Sequence, residues 1–77
     1  KTDAYNEYVM TGLRTIWGVS LEKIKNDFGE MYVNYLKKHA EKYIEQEFLY
    51  LNNKILKTTK KGMFLSDGIA ADLFKIN

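Results

Sequence analysis

In the stretch Phe48-Leu49-Tyr50-Leu51-Asn52-Asn53-Lys54-Ile55-Leu56-Lys57 the hydrophobic period of the chain changes. Upstream, apolar residues recur every three or four positions, as on one face of a helix. Here two short apolar runs flank a polar centre. Phe48 to Leu51 and Ile55 to Lys57 therefore read as paired strands. Asn52-Asn53-Lys54 is the turn, with the Asn pair tolerating positive φ. Thr58 or Thr59 then caps a last helix that runs to about Ile76.

Toward the N-terminus, the longest helix is expected from about Glu30 to Phe48. Val33, Leu36, Ala40, Tyr43 and Ile44 line one face, and Lys38, His39, Lys42, Glu45 and Gln46 line the other, which makes it an amphipathic surface helix. Before it, Ser20 caps a brief helix through Leu21, Ile24 and Phe28 that Gly29 ends, with Val19 as a short link. The first helix spans Ala4 to Trp17. Tyr5, Val9, Gly12 and Ile16 share a stripe at 100° per residue, flanked by Tyr8 and Leu13. Asp3 is placed to cap it and Gly18 to stop it. The Gly18-to-Gly29 segment ahead of a long helix supplies a helix-turn-helix element. The fold class is α+β, mostly helical and winged-helix-like: three helices, a short β-hairpin and a C-terminal helix.

The composition bounds what such a domain can do. Seventy-seven residues make one domain, 1–77, and a chain of this size removes only about 60% of its unfolded surface from water. Hydrophobic content of 45%, with 14% aromatic residues, argues against intrinsic disorder. There is no Cys, which excludes disulfides, thiol nucleophiles and cluster ligation by this chain, and no Pro. Twelve Lys and Arg against ten Asp and Glu give +2, too weak a field to indicate nucleic-acid binding by itself. No apolar run approaches the ~18 residues of a membrane span, and no basic-then-apolar leader opens the chain. The chain begins at Lys1 without Met, as expected of a piece of a longer protein.

Two helices carry more apolar surface than one small core uses. Opposite the Ile16-centred stripe, the first helix collects Glu7, Met10, Arg14 and Trp17. Glu7 and Arg14 lie two turns apart, as do Met10 and Trp17, about 10.5 Å along the axis. Trp, Met and Arg are enriched at interfaces. Two readings stand: this face docks on a partner, or Trp17 folds back onto the second helix while Arg14 snorkels. In the last helix, Gly62, Leu65, Ile69, Leu73 and Ile76 form one stripe, and Met63, Ala70 and Phe74 form another on the opposite side. Gly62 and Gly68 cost roughly 1 kcal/mol each within a helix, which the close packing of another backbone offsets. Alternatively, Gly62 sits in a frayed first turn. The docking residues expected from these two wheels are Glu7, Met10, Arg14, Trp17, Met63 and Phe74, facing another domain of the same parent chain or a second copy.

The run Glu7-Tyr8-Val9-Met10-Thr11-Gly12-Leu13-Arg14-Thr15-Ile16-Trp17-Gly18-Val19 resembles the start of a known domain. This is the C-terminal domain of oxygen-independent coproporphyrinogen III oxidase-like radical S-adenosylmethionine (SAM) proteins, of the HemN and HemW type. Its pattern of Glu, a hydrophobic pair, Met, Gly-Leu-Arg and a later Gly falls on Glu7, Tyr8-Val9, Met10, Gly12-Leu13-Arg14 and Gly18. A second, weaker landmark is Thr58-Thr59-Lys60-Lys61-Gly62, where the family tends to carry Leu-Thr, a spacer, a basic residue and Gly. Thr58 replaces the Leu, and Trp17 stands where many relatives carry a polar or acidic residue. The resemblance implies an accessory domain, in the cytoplasm, packed against an upstream catalytic barrel in porphyrin or haem metabolism. In that family a Cys-x-x-x-Cys-x-x-Cys loop of the barrel holds a [4Fe–4S] cluster and S-adenosylmethionine. No residue here matches that loop, so neither cofactor is expected in this fragment, nor any catalytic residue. The resemblance leaves open whether the parent is an oxidase or a haem chaperone.

Arg14 has two uses consistent with the sequence: a contact to the barrel or a substrate carboxylate, or a structural pairing with Glu7. The rival function is a winged-helix nucleic-acid binder, with Lys37, Lys38, His39, Lys57, Lys60 and Lys61 meeting phosphates. Glu41, Glu45 and Glu47 dilute that stripe. An independent enzyme finds no support. His39 is the one His, Asp67 and Asp72 fall on different helix faces, and no Gly-rich phosphate loop or nucleophile–base set is present.

Overall fold

Ser20 sets the frame of the N-terminal half. Its hydroxyl oxygen accepts the Lys23 N–H at 3.1 Å, capping a helix that Gly29 closes. The computed structural model describes residues 2–75. Around this capped helix the order is α1 (Thr2–Leu13), β1 (Val19–Ser20), α2 (Leu21–Phe28), α3 (Glu30–Glu45), β2 (Leu49–Asn52), β3 (Ile55–Thr58), α4 (Lys60–Met63) and α5 (Ser66–Leu73). The strands form one antiparallel sheet in the order β1-β3-β2. The α+β, mostly helical class holds. No described helix is long and apolar enough to cross a membrane.

Every element except α4 contributes a side chain to one core. Tyr5, Val9 and Leu13 of α1 meet Ile69, Ala70 and Leu73 of α5 and Tyr32, Val33, Leu36 and Ala40 of α3. Ile24 of α2 and Val19, Leu49 and Leu56 of the sheet close it. The helix–hairpin boundary is a Schellman stop. Phe48 N–H reaches Tyr43 C=O (2.9 Å) and Glu47 N–H reaches Ile44 C=O (3.0 Å), with Glu47 itself at φ 65°. The long helix therefore ends at Glu45, three residues before the expected Phe48.

Further expectations about element ends are corrected. The first helix stops at Leu13, not Trp17, because the chain must turn back for Val19 to pair with Leu56 on β3. Leu13 thereby takes the core position expected of Ile16, which is 75% exposed. Val19 is thus a strand residue and not a link, and Asp3 lies inside the first turn of α1. In the hairpin, the two turn residues at positive φ are Asn53 and Lys54 (52° and 64°), and Asn52 ends β2. The single last helix is two. Thr59 caps α4 through its hydroxyl, accepting Gly62 N–H at 3.0 Å, and Leu65 N–H bonds to Gly62 C=O at 2.9 Å, closing a turn before α5 begins. After Leu73 the chain is extended, because Tyr5 and Tyr35 donate to the C=O groups of Leu73 (3.0 Å) and Phe74 (2.8 Å). Ile76, placed in a stripe of that helix, lies outside the described residues.

Gly62 seats α4 against the entry to β2. A Cβ at this position would stand 1.9 Å from the Phe48 carbonyl oxygen, so the start of α4 presses directly on the strand entry. The glycine sits at a close backbone approach, not in a frayed turn. Gly18 is required for another reason, as its φ is 74° and a Cβ there would meet the Leu56 carbonyl at 2.7 Å. Gly68 has open space where a Cβ would stand. Gly62→Ala is therefore expected to destabilise the chain by at least ~2 kcal/mol in urea denaturation. Gly68→Ala is expected to stabilise it by up to about 1 kcal/mol. Equal effects from the two substitutions would contradict this packing.

Candidate docking surface

The segment after α1 is built by short bonds to the end of that helix. Arg14 N–H bonds to Thr11 C=O (3.3 Å), Thr15 N–H to Gly12 C=O (3.2 Å), and Trp17 N–H to the Thr15 hydroxyl (3.3 Å). This tight turn carries Ile16 and Trp17 outward, with Trp17 77% exposed. Its base is tied to the C-terminal half. The Thr58 hydroxyl donates to Leu13 C=O (3.3 Å) and stands 3.8 Å from the Met63 sulfur, while Arg14 Nε donates to Asp67 Oδ1 (2.8 Å). The turn at 14–17 and the α4–α5 corner are thus neighbours. The corner exposes Met63, Leu65 and above all Phe64, at 91%.

The residues named from the two wheels fall as follows. Arg14, Trp17 and Met63 belong to this exposed region. Glu7 is exposed on α1, and Arg14 pairs with Asp67 instead of with Glu7. Met10 and Phe74 are half-buried and pack on the core. The wheel of α1 extended one turn too far, and the turn at 14–17 re-aimed everything after Leu13. Ile16, Phe64, Leu65 and Asp67 were missed. For Phe64 a signal existed: it fits neither apolar stripe of the expected last helix.

Two carboxylates fasten α5 from opposite sides. The hydrogen bond and charge of Arg14 hold the Asp67 carboxyl below the usual range. Asp72 accepts from the Tyr43 hydroxyl and from Lys42 Nζ (3.1 Å), and these bonds lower it as well. The Tyr43 hydroxyl, bonded to that carboxylate, is pushed up to about 12. Cations of the rival nucleic-acid reading do not converge. His39 stacks on Tyr35 at 4.2 Å, Lys61 lies over the Phe48 ring at 4.9 Å, and Lys37 and Lys38 line a groove with Glu41 and Glu45.

A family model described as the HemN C-terminal domain matches residues 1–65. The chain belongs to that family. No curated protein and no solved structure matches it. The matched span carries the exposed turn, the hairpin and α4. Beyond it, α5 gives this HemN C-terminal domain Ile69, Ala70 and Leu73 for its core and Asp67 for Arg14.

Depressed carboxyl values make stability fall in acid. The contribution of Asp67 and Asp72 is present above the unfolded carboxylate pKa, about 3.9, and is lost as pH falls through their lower folded values. Thermal melts from pH 7 to pH 2 are expected to show a declining midpoint below about pH 4. The Asp67→Asn, Asp72→Asn double variant should start lower at pH 7 and decline less. An unchanged slope in that variant would remove the two carboxylates from the account.

Proposed function

We propose that this HemN C-terminal domain is the accessory domain of an oxygen-independent coproporphyrinogen III oxidase-like radical SAM protein or a related haem chaperone. It docks on the catalytic barrel of its parent through the turn at 14–17 and the α4–α5 corner. The observation that carries this reading is the exposure of Ile16, Trp17 and Phe64 on neighbouring segments within a chain of this family. Apolar side chains concentrated this way mark contact surfaces, whereas scattered single ones do not. Trp17 and Phe64 are the natural anchors, being aromatic. The Arg14–Asp67 pair beside them supplies a polar rim and fixes the angle between the turn and α5.

Radical SAM chemistry rests on an iron–sulfur cluster held by thiolates. The donor set of this chain does not fit one, because the sequence contains no Cys. On this reading the chain's own residues bind and orient, and a cytoplasmic location goes with it. The winged-helix-like order of helices and strands serves as a scaffold for docking. Nucleic-acid binding is not favoured, since Glu41 and Glu45 share the groove with Lys37 and Lys38.

Hydrogen exchange provides the test. In the parent protein, amides at 14–17 and 63–67 are expected to exchange at least ~10-fold more slowly than in the chain alone, as burial in an interface demands. Trp17→Ser with Phe64→Ser should abolish that difference while leaving the melt of the chain within about 0.5 kcal/mol. Identical exchange in the two contexts would sink the proposal.

A further inference from the structure

Sheet order β1-β3-β2 leaves β2 on an edge, and the register decides which of its backbone groups face outward. Thr59 N–H donates to Phe48 C=O at 3.0 Å, so position 48 bonds toward β3. In an antiparallel ladder the bonding side alternates, so Tyr50 (opposite Lys57) and Asn52 (opposite Ile55) bond inward too. On the far side of β3, Leu21 N–H donates to Lys54 C=O at 2.9 Å, in phase with the Val19–Leu56 pair, which agrees with this alternation. The N–H and C=O groups of Leu49 and Leu51 therefore point away from the sheet. Among the described residues no strand or side chain bonds them.

This edge lacks the usual protections. Leu49-Tyr50-Leu51-Asn52 carries no charge and no Pro, and its register with β3 runs without a bulge. Leu51 shares a face with buried Leu49 yet is 46% exposed. It stands on the wall of the groove already described, about 290 Å³, where Leu36, Ala40, Leu56 and the exposed Ile44 of α3 line the cavity together with Lys37, Lys38, Glu41 and Glu45. Open backbone groups and an apolar groove thus form one continuous surface.

We propose that this surface takes a second copy of the chain. The two β2 strands pair antiparallel about a two-fold axis and join the sheets. Charge selects this occupant and this direction. Glu45 and Glu47 precede the strand and Lys54 follows it, so antiparallel pairing brings the acidic end of each copy toward Lys54 of the other, while parallel pairing sets like against like. The outward groups mate when Leu49 of one copy faces Leu51 of the other, which pairs Tyr50 with its own symmetry mate. Both copies use the same patch, so the contact closes on itself. Four residues of edge with one groove bury less than the roughly 1,000 Å² of a stable interface, so the complex is weak.

The test is amide exchange of the 77-residue chain between about 20 µM and about 1 mM, with sedimentation equilibrium over the same range. The Leu49 and Leu51 amides are expected to slow about 3-fold at the higher concentration as the mean mass rises toward twice the monomer. Leu51→Lys should abolish both effects, and Trp17→Ser should leave both intact, which separates this contact from the docking face. Exchange at Leu49 and Leu51 that ignores concentration overturns the proposal, and this readout decides even where Leu51→Lys fails to fold. Association lost in Trp17→Ser and kept in Leu51→Lys also overturns it, as does protection of these amides only upon addition of the parent's catalytic domain.

Discussion

Four helices meet on one side chain. Tyr5 of α1 is fully buried; its ring lies edge-on to Phe28 of α2 at 5.9 Å and tilts against Tyr32 of α3 at 5.0 Å. Its hydroxyl donates to the last carbonyl of α5, that of Leu73. A buried phenol needs this partner, because an unpaired hydroxyl in an apolar site costs much of what ring burial gains. Burial accordingly pushes the Tyr5 hydroxyl well above its ordinary pKa. Removing any one of the four helices exposes the ring or orphans its hydroxyl, so the helices depend on one another through this residue.

What the sequence made legible divides by the range of the forces involved. The α2 helix was readable at both ends because Ser20 and Gly29 act on their own neighbours. The hairpin was readable because the apolar period changes at Phe48. The seating of α4 was not, since Gly62 meets the Phe48 carbonyl, a contact between residues 14 apart in sequence. β1 escaped notice for the same reason. Two residues, Val19 and Ser20, carry no period, and only their pairing with β3 makes them a strand. The candidate site was half legible. Trp17 and Met63 stood out by type, but the Arg14–Asp67 bond spans 53 positions and no helical wheel reaches that far.

The surface shows two separate kinds of unsatisfied chemistry. At the 14–17 turn and the α4–α5 corner the excess is apolar side chain, with its polar neighbours already paired. At β2 the excess is backbone, open N–H and C=O groups beside an apolar groove. Side-chain surfaces of the first kind select partners by shape, whereas strand edges accept almost any extended chain and need flanking charge to discriminate. A small domain with a core of this size can carry both because each lies on a segment fixed from behind, the turn by Thr58 and Asp67 and the strand by β3.

One clamp bears on how such a unit travels between proteins. The Asn6 side chain accepts the Lys75 N–H (2.9 Å) and donates to its C=O (3.3 Å), in effect imitating a strand partner for the departing chain. Lys75 Nζ lies over the Tyr35 ring at 4.9 Å, adding a second hold. The first turns of α1 and the segment that follows α5 therefore lie side by side. A fold with adjacent ends can be spliced into a surface loop of a host, because the gap it must bridge is small and the added closure entropy grows only slowly with the inserted length. The same adjacency makes the fold a candidate for circular permutation, with a linker leading from the segment after α5 back to α1 and the chain opened elsewhere.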